Sequence, residues 1–260
     1  MSTEPERVPL GRIHAHRLRF DDALDAIVAL ARAGGGGTVV TPNVDHVVLA
    51  EHDDALVAAY AHAALSLVDG MPLLWLGRML GRPFPDKISG SDLVAPLAER
   101  AAREGLSLFL LGAKEGVGAR AAAALCARSP SLRVAGVLSP PLGFDTDVEL
   151  DRDVVAKVRA AAPALVLVAL GAPKQELWME AHREALAPAV LLGIGGTLDF
   201  LAGEKMRAPR VLSELGLEWA FRLAQEPRRL AHRYLVRDRA FFGIALRTLR
   251  ERRRRGRSRA

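Results

Sequence analysis

Single polar residues follow several apolar segments of this chain, and Asp69 is the one best suited to acid–base chemistry. It comes directly after the apolar segment 64–68 and directly before Gly70. If that segment is a strand, the carboxylate lies at the strand end, where a general base could take a proton from a bound hydroxyl group. The alternative is an Asp-Gly turn without a chemical role, because both residues are common in turns.

Three further polar residues stand where they could hold a phosphate or a sugar. Thr41 and Asn43 follow the short apolar segment 38–40 at a predicted helix start, where hydroxyl, amide and backbone N–H groups can bind such ligands. An ordinary helix cap explains the same two residues. Lys87 precedes a predicted turn and could stabilise a diphosphate, although a single lysine is usually a solvated charge.

A glutamine and two glycine-rich loops complete the candidate ligand-binding residues. Gln175 follows the most apolar segment of the chain and could bind the amide edge of a sugar or a uracil ring. Gly112 and Gly195 belong to loops whose lack of side chains allows close approach to a phosphate. The second loop differs from a dinucleotide fingerprint at Leu198, which argues against a nicotinamide enzyme. None of the seven histidines has metal-ligand spacing to acids or cysteine, so we expect neither a metal nor another cofactor.

These residues can form one site only if the fold places the ends of several strands side by side. The order of the predicted elements indicates such a fold. Apolar segments alternate with amphipathic ones, which predicts an α/β fold with a Rossmann-like, mostly parallel sheet and helices on both faces. Ligands bind at the carboxyl ends of strands in such sheets. The predicted elements are a strand pair within 8–20, helices at 21–33 and 44–62, and strands at 38–40, 64–68, 107–111, 133–138, 164–170 and 189–193.

The chain changes character at its C-terminal end, where arginines accumulate. Residues 206–260 contain 16 arginines, no lysine and 5 acids, so the net charge of this segment is +11. The whole chain has a net charge of +6, so residues 1–205 carry −5. We therefore divide the chain into a 1–206 α/β core and a 207–260 helical appendage, with helices at 211–225, 227–237 and from 240 onward. In the last helix Phe242, Ala245, Leu246 and Leu249 are predicted to share one face. Such a basic segment indicates an anionic partner, whether lipid, nucleic acid or phosphorylated ligand.

Other bulk features restrict the location of the protein. Cys126 is the single cysteine, so a disulfide framework within the chain is excluded and a reducing cytoplasm fits. The N-terminal residues do not have the basic and then apolar pattern of a secretory signal. The longest uncharged apolar stretch, 160–173, is too short to span a bilayer. We expect a cytoplasmic protein that does not cross the membrane.

Six motifs follow one another along the chain. They are TPNVDH, VDGMPL, KISGSDL, GAPKQELWM, GIGGTLDFLAGEKMRAP and LEWAFRLAQEPRRLAHRYL. Their order and approximate spacing resemble those of one known family, the WecG/TagA/CpsF glycosyltransferases. The resemblance covers roughly residues 35–240, and six motifs in sequence are far more specific than any one of them.

This resemblance implies an inverting, metal-independent enzyme that uses a UDP-sugar, typically UDP-N-acetylmannosamine or its uronic acid. The implied acceptor is undecaprenyl-diphosphate-linked N-acetylglucosamine, and the products feed teichoic acid, common antigen, capsule or exopolysaccharide synthesis. By position, Asp69 matches the proposed base, Thr41 and Asn43 match residues around the sugars, and Gln175 matches the glutamine of the PKQE motif. Lys87 stands where the family usually has arginine, which keeps the charge but loses the bidentate fork.

The resemblance also implies that the appendage completes the active site and docks at the inner face of the membrane. Its arginines are expected to reach the substrate diphosphates, and those considered are Arg207, Arg210, Arg222, Arg228, Arg229 and Arg233. A related enzyme with a UDP-glucose donor is the nearest alternative, and a homo-oligomer is possible. A nucleic-acid-binding protein is disfavoured because the basic segment lacks aromatic residues interleaved for base stacking.

Overall fold

The computed structural model describes residues 5–209, 212 and 217–257, without the side chains of residues 229, 235, 253 and 255–257. Within these residues, a six-stranded parallel sheet has the order β4-β3-β8-β7-β5-β6. An antiparallel hairpin of β1 and β2 lies beside it and contacts it through a bridge from His16 to Leu67. The strands are β1 Arg7–Leu10, β2 Ile13–His16, β3 Gly37–Val40, β4 Leu65–Ser66, β5 Ser107–Gly112, β6 Arg133–Leu138, β7 Leu165–Ala169 and β8 Val190–Gly193.

Helices connect the strands and form the C-terminal appendage. Two short 3-10 helices, at Phe144–Thr146 and Arg237–Arg239, accompany them. The α-helices are α1 Phe20–Ala33, α2 Val44–Leu49, α3 Asp54–His62, α4 Met71–Met79, α5 Gly90–Glu104, α6 Val117–Arg128, α7 Val148–Ala160, α8 Lys174–His182, α9 Thr197–Leu201, α10 Glu218–Gln225, α11 Pro227–Leu235 and α12 Ala240–Arg257.

The central strands are covered on both faces because their side chains are apolar on both sides. In β5, Leu108 and Leu110 pack into one hydrophobic cluster with α1, α5 and α6, whereas Phe109 and Leu111 pack into a second cluster with α2, α3, α4 and α8. Successive strand residues point to opposite faces, so an uninterrupted apolar strand needs helices on both sides. The predicted Rossmann-like α/β fold with helices on both faces is confirmed.

Two predicted elements in the N-terminal half differ from the observed ones. The helix predicted over 44–62 is two helices, because Asp53 caps a new helix by accepting a hydrogen bond from the Leu56 backbone N–H at 2.9 Å. A capping carboxylate favours a helix start and therefore an interruption of the helix before it. The strand predicted over 64–68 is limited to the short β4, which pairs with β3 at the edge of the sheet, and to the single bridge from Leu67 to His16.

The last helix, α12, packs on the core through only part of its predicted apolar face. In α12, Phe241 and Ile244 are buried in the cluster that contains the β1–β2 hairpin and α2, whereas Phe242 and Leu246 are exposed. The predicted face of Phe242, Ala245, Leu246 and Leu249 is therefore divided. Ala245 and Leu249 pack against this cluster, whereas Phe242 and Leu246 face outward.

Helices α10 and α11 lie within the regions predicted to be helical. Helix α10 ends at Gln225, as predicted, and α11 ends at Leu235, two residues before its predicted end. Residues 211 and 213–216 of the predicted first appendage helix lie outside the described residues. Over the part of the chain that the structure describes, no helix has the length and hydropathy needed to span a membrane.

Candidate active site

A cleft of about 520 Å³ opens at the carboxyl edge of the sheet. The segments that follow β3, β4, β7 and β8 form its floor, and residues from α9, α10 and α11 form the opposite wall. These four strands are neighbours in the sheet, so the polar residues that follow them converge. Parallel sheets bind ligands at this edge because the connections that leave neighbouring strands separate there.

Asp69 lies on the floor of this cleft, and its backbone is fixed on both sides. Its N–H donates to the Pro42 carbonyl at 2.8 Å, and Ile88 N–H donates to the Val68 carbonyl at 2.8 Å. Among the described residues, none donates a hydrogen bond to the Asp69 carboxylate. The carboxylate can therefore accept a hydrogen bond or a proton from a ligand in the cleft that it lines.

Burial raises the pKa of Asp69 to about 6, because desolvation penalises the ionised form. The positive charges of Lys87 and Arg222 oppose this effect, and the carboxylates of Glu218 and Asp92 add to it. A carboxylate with this pKa is a stronger base than an exposed one and is still ionised at neutral pH. Both properties suit a general base.

Thr41 and Asn43 line the cleft where the chain leaves β3. The Thr41 hydroxyl donates to the Gly193 carbonyl at 3.2 Å, which ties the ends of β3 and β8 together. Asn43 caps α2, its Oδ1 accepting from the Asp45 N–H at 3.0 Å and from Arg233 Nη2 at 3.2 Å. Asn43 is thus a helix cap and also a cleft residue, so the two interpretations of the sequence are compatible.

Gln175 and Gly195 are brought together in the floor of the cleft. Gln175 Oε1 accepts from the Gly195 N–H at 3.0 Å, and its Nε2 donates to Glu176 Oε1 at 2.6 Å. These two bonds fix the orientation of the amide. Burial raises the pKa of Glu176 to about 7, with the hydrogen bond from Gln175 acting in the opposite direction.

Four cationic side chains, Lys205, Arg222, Arg233 and Arg237, line the cleft. Each of them is paired with carboxylates of the protein. Lys205 Nζ lies 2.9 Å from Asp199 and 2.8 Å from Glu226, and Arg222 pairs with Glu218. Since most of these cations come from the appendage, the cleft acquires its positive wall only when the appendage is docked on the core.

Asp45 and His46 form the part of the wall next to Arg233 and Arg237. Asp45 is buried and pairs with Arg233 Nε at 3.3 Å and with Arg237. His46 Nδ1 lies 2.7 Å from the Tyr60 hydroxyl. Burial, together with Arg233 and Arg237, lowers the pKa of His46 to about 3, so its ring is neutral at physiological pH.

Other predicted site residues lie outside the cleft wall. Lys87 Nζ is 3.3 Å from both Asp92 and Glu218, and it acts on Asp69 through its charge. Gly112 ends β5, two strands beyond β8, and a Cβ there would lie 2.4 Å from the Ala169 carbonyl oxygen. Close strand packing therefore accounts for this glycine. Its role in substrate binding stays a prediction.

The remaining predicted arginines belong to the appendage. Arg207 pairs with Asp92 and donates to the Ser91 carbonyl at 3.3 Å, at the edge of the cleft. Arg228 is exposed on α11. Arg210 and the side chain of Arg229 lie outside the described residues. The proposed contacts of these residues with a diphosphate stay predictions.

Asp45, Lys205 and Arg237 were not identified from the sequence as site residues. Asp45 lies in the same motif as Thr41 and Asn43, so its position was the one available signal. Lys205 and Arg237 do not directly follow a strand. Lys205 belongs to the core and follows α9, whereas Arg237 reaches the cleft because the appendage folds back on the core.

Comparison with known families identifies one family over nearly the whole chain. The sequence model of the "Glycosyl transferase WecG/TagA/CpsF family" matches residues 8–255. The match extends from the β1–β2 hairpin through the parallel sheet to α12, and so includes every segment that lines the cleft. The chain therefore belongs to the WecG/TagA/CpsF family of glycosyltransferases.

Proposed function

We propose that the protein transfers N-acetylmannosamine, or its uronic acid, from a UDP-sugar to undecaprenyl-diphosphate-linked N-acetylglucosamine. The reaction inverts the anomeric centre, needs no metal and contributes to the synthesis of a cell-surface polysaccharide or teichoic acid. The observation that supports it best is the pairing of one unbonded carboxylate, Asp69, with a wall of cations in the same cleft. Family membership supports the class of reaction.

Asp69 acts as the base. It takes the proton of an acceptor hydroxyl as that oxygen forms a bond to the anomeric carbon of the donor. The bond from this carbon to the diphosphate oxygen breaks at the same time, and UDP departs with the electron pair. One carboxylate is sufficient because a nucleoside diphosphate is already a good leaving group, unlike the alcohol released in glycoside hydrolysis.

The cationic wall stabilises the charge that develops on the departing diphosphate. Arg222, Arg233 and Arg237 can each offer a planar fork of N–H donors, which suits phosphate oxygens. Lys205 adds a point charge. A diphosphate would compete with the protein carboxylates that now pair with these side chains, so binding exchanges one set of ion pairs for another.

Helix α12 has the composition expected of a surface that meets an anionic membrane. Phe242 and Leu246 are exposed on its outer side, and the exposed Arg250 follows them. Apolar side chains can enter the headgroup region, and each arginine near an anionic leaflet contributes about 1 kcal/mol. The protein would then work at the cytoplasmic face of the cell membrane, where the lipid-linked acceptor is held.

One assay tests the proposed donor and acceptor together. The purified enzyme is incubated with a panel of UDP-sugars and a short-chain lipid-diphosphate N-acetylglucosamine, and the product is identified by its mass. We expect one added N-acetylhexosamine or its uronic acid, formed without added metal and in the presence of a chelator. Transfer of glucose from UDP-glucose instead would replace the proposed donor, and absence of transfer from every UDP-sugar would contradict the proposal.

A further inference from the structure

Asp45 is a buried carboxylate of the cleft that the transfer step does not use. It is 3% exposed and lies at the start of α2, two residues after the cap Asn43. A carboxylate in such a position costs several kcal/mol unless cations and hydrogen-bond donors compensate it. The side chains that pair with Asp45 therefore indicate its role.

The partners of Asp45 are two arginines from the end of the appendage. Arg233 Nε lies 3.3 Å from Asp45 Oδ2, and Arg237 pairs with Asp45 Oδ1. Arg233 also donates through Nη2 to Asn43 Oδ1 at 3.2 Å. One carboxylate thus binds two guanidinium groups, and both line the cleft.

Among the described residues, Asp45 is the carboxylate that forms an ion pair with each of the two arginines. His46 is neutral, because burial and the two arginines lower its pKa to about 3. Asp238 lies 3.8 Å from Arg233 Nε, farther than Asp45, and burial together with the charge of Asp45 raises the pKa of Asp238 to about 6. Without Asp45, the carboxylate nearest to Arg233 would be the more distant Asp238, and the repulsion between the two guanidinium groups would be less well compensated.

We propose that Asp45 is a positioning residue that holds the guanidinium groups of Arg233 and Arg237 in the cleft wall, where they bind the donor diphosphate. This inference rests on the proposed function, in which those arginines contact the diphosphate. Asp45 does not touch the reacting atoms and acts only through the two arginines.

Replacement of Asp45 by asparagine tests this role with little change in shape. UDP and inorganic diphosphate are the two probes, and their dissociation constants are measured by calorimetry for both proteins. We expect Asp45→Asn to weaken binding of both by about tenfold or more, as expected for loss of a charge-assisted contact. The KM for the donor should rise by a similar factor, and Asp45→Glu should restore part of the loss.

Glu51 offers a matched control for a purely structural effect. Its carboxylate pairs with Arg247 at 2.6 Å, so it also joins the end of α2 to the appendage, but it lies outside the cleft wall. Glu51→Gln should lower the thermal midpoint to a similar degree as Asp45→Asn while leaving the affinity for UDP unchanged. Equal losses of affinity in the two variants would show that Asp45 only secures the appendage.

A double-mutant cycle tests whether Asp45 acts through the arginines. In an Arg233→Gln/Arg237→Gln background, Asp45→Asn should cause little further loss of UDP affinity. A full additional loss would overturn the inference, and so would unchanged binding in Asp45→Asn or a wild-type protein that binds neither probe. Asp45-dependent diphosphate binding without any sugar transfer would preserve this inference and reject the proposed function.

Discussion

At the scale of single residues, the cleft places its proposed base in an environment that is unfavourable for a charge. Burial raises the pKa of Asp69 to about 6, and the nearby cations only partly offset this. The same desolvation that strengthens the base also makes its ionised form costly to the folded protein. The ionised Asp69 carboxylate should therefore increase the rate of sugar transfer and decrease the free energy of unfolding.

The rate should follow the ionisation of Asp69. Because only the carboxylate form accepts a proton, kcat/KM should rise with pH through about 6 and become constant above pH 7. Asp69→Asn should lose most of its turnover, while its dissociation constant for UDP stays close to that of the wild-type protein. A purified Asp69→Asn enzyme that transfers sugar at the normal rate would show that another residue is the base.

The same substitution should stabilise the protein at alkaline pH. Since the folded-state pKa of Asp69 lies above its ordinary value of 3.8, the folded state holds the proton more tightly than the unfolded state. The contribution of this group to stability is full below about pH 4 and is lost as pH rises through 6. Asp69→Asn should raise the free energy of unfolding at pH 8 by about 1–3 kcal/mol.

Urea denaturation of both proteins at pH 8 and at pH 4 measures this difference. The gain should be present at pH 8 and should shrink most of the way to zero at pH 4, where Asp69 is protonated in the folded state and partly protonated in the unfolded state. An Asp69→Asn protein that is less stable than wild type at pH 8 would mean that the ionised carboxylate contributes favourable contacts to the folded state.

At the scale of elements, the sequence predicts which polar residues follow a strand, but it does not predict where the appendage packs on the core. Asp69, Thr41, Asn43 and Gln175 were found because each follows an apolar segment, and a parallel sheet brings such positions to one edge. Arg237 meets Asp45 from the opposite end of the chain. No local pattern specifies that contact, because periodicity describes the face of a helix and not its partner.

The packing of α10 and α12 illustrates the same limit. The apolar pattern of α12 predicted one face, but only Ala245 and Leu249 of that face pack against the cluster that contains the β1–β2 hairpin, together with Phe241 and Ile244. Helix α10 has no fully buried residue, and its contacts include the ion pair of Glu218 with Lys87 at 3.3 Å and the ring contact of Trp219 with Tyr234. An ion pair between distant residues does not appear in the hydropathy pattern of either segment.

Lys87 should therefore affect catalysis although it does not line the cleft. Its charge lowers the pKa of Asp69 and also holds Glu218 of α10. Lys87→Gln should shift the rise of kcat/KM to higher pH, and Lys87→Arg should keep it near the wild-type position because the charge is retained. The exposed Lys114 provides the control, since Lys114→Gln should leave the pH profile unchanged. An unchanged profile in Lys87→Gln would remove Lys87 from the electrostatics of the base.

At the scale of the whole molecule, charge is segregated between the two parts of the chain. Residues 206–260 carry +11, whereas residues 1–205 carry −5. The two parts are nevertheless joined, because Phe241 and Ile244 of α12 are buried in the same cluster as the hairpin. Deleting α12 would expose this cluster, so substitutions on the outer face of α12 test membrane contact better than a truncation does.

Phe242 and Leu246 are the residues for that test, because both are exposed and lie beside the arginines of α12. A Phe242→Ser/Leu246→Ser protein should bind vesicles of phosphatidylglycerol and phosphatidylcholine more weakly than wild type in co-sedimentation. Loss of interfacial apolar area weakens binding to a bilayer but leaves the cleft intact. Transfer to a short-chain acceptor in solution should stay unchanged, and transfer to a full-length acceptor in vesicles should fall.

Leu142 supplies the matched control, since it is also fully exposed but lies in the loop after β6. Leu142→Ser should bind vesicles like the wild-type protein. Binding to an oligonucleotide at the same ionic strength should be weaker than binding to the anionic vesicles and should not depend on Phe242 or Leu246. If the double variant binds vesicles normally, the outer face of α12 does not enter the membrane. The basic segment would then attract anionic lipid through its arginines alone, and vesicle binding should disappear as salt screens their charge.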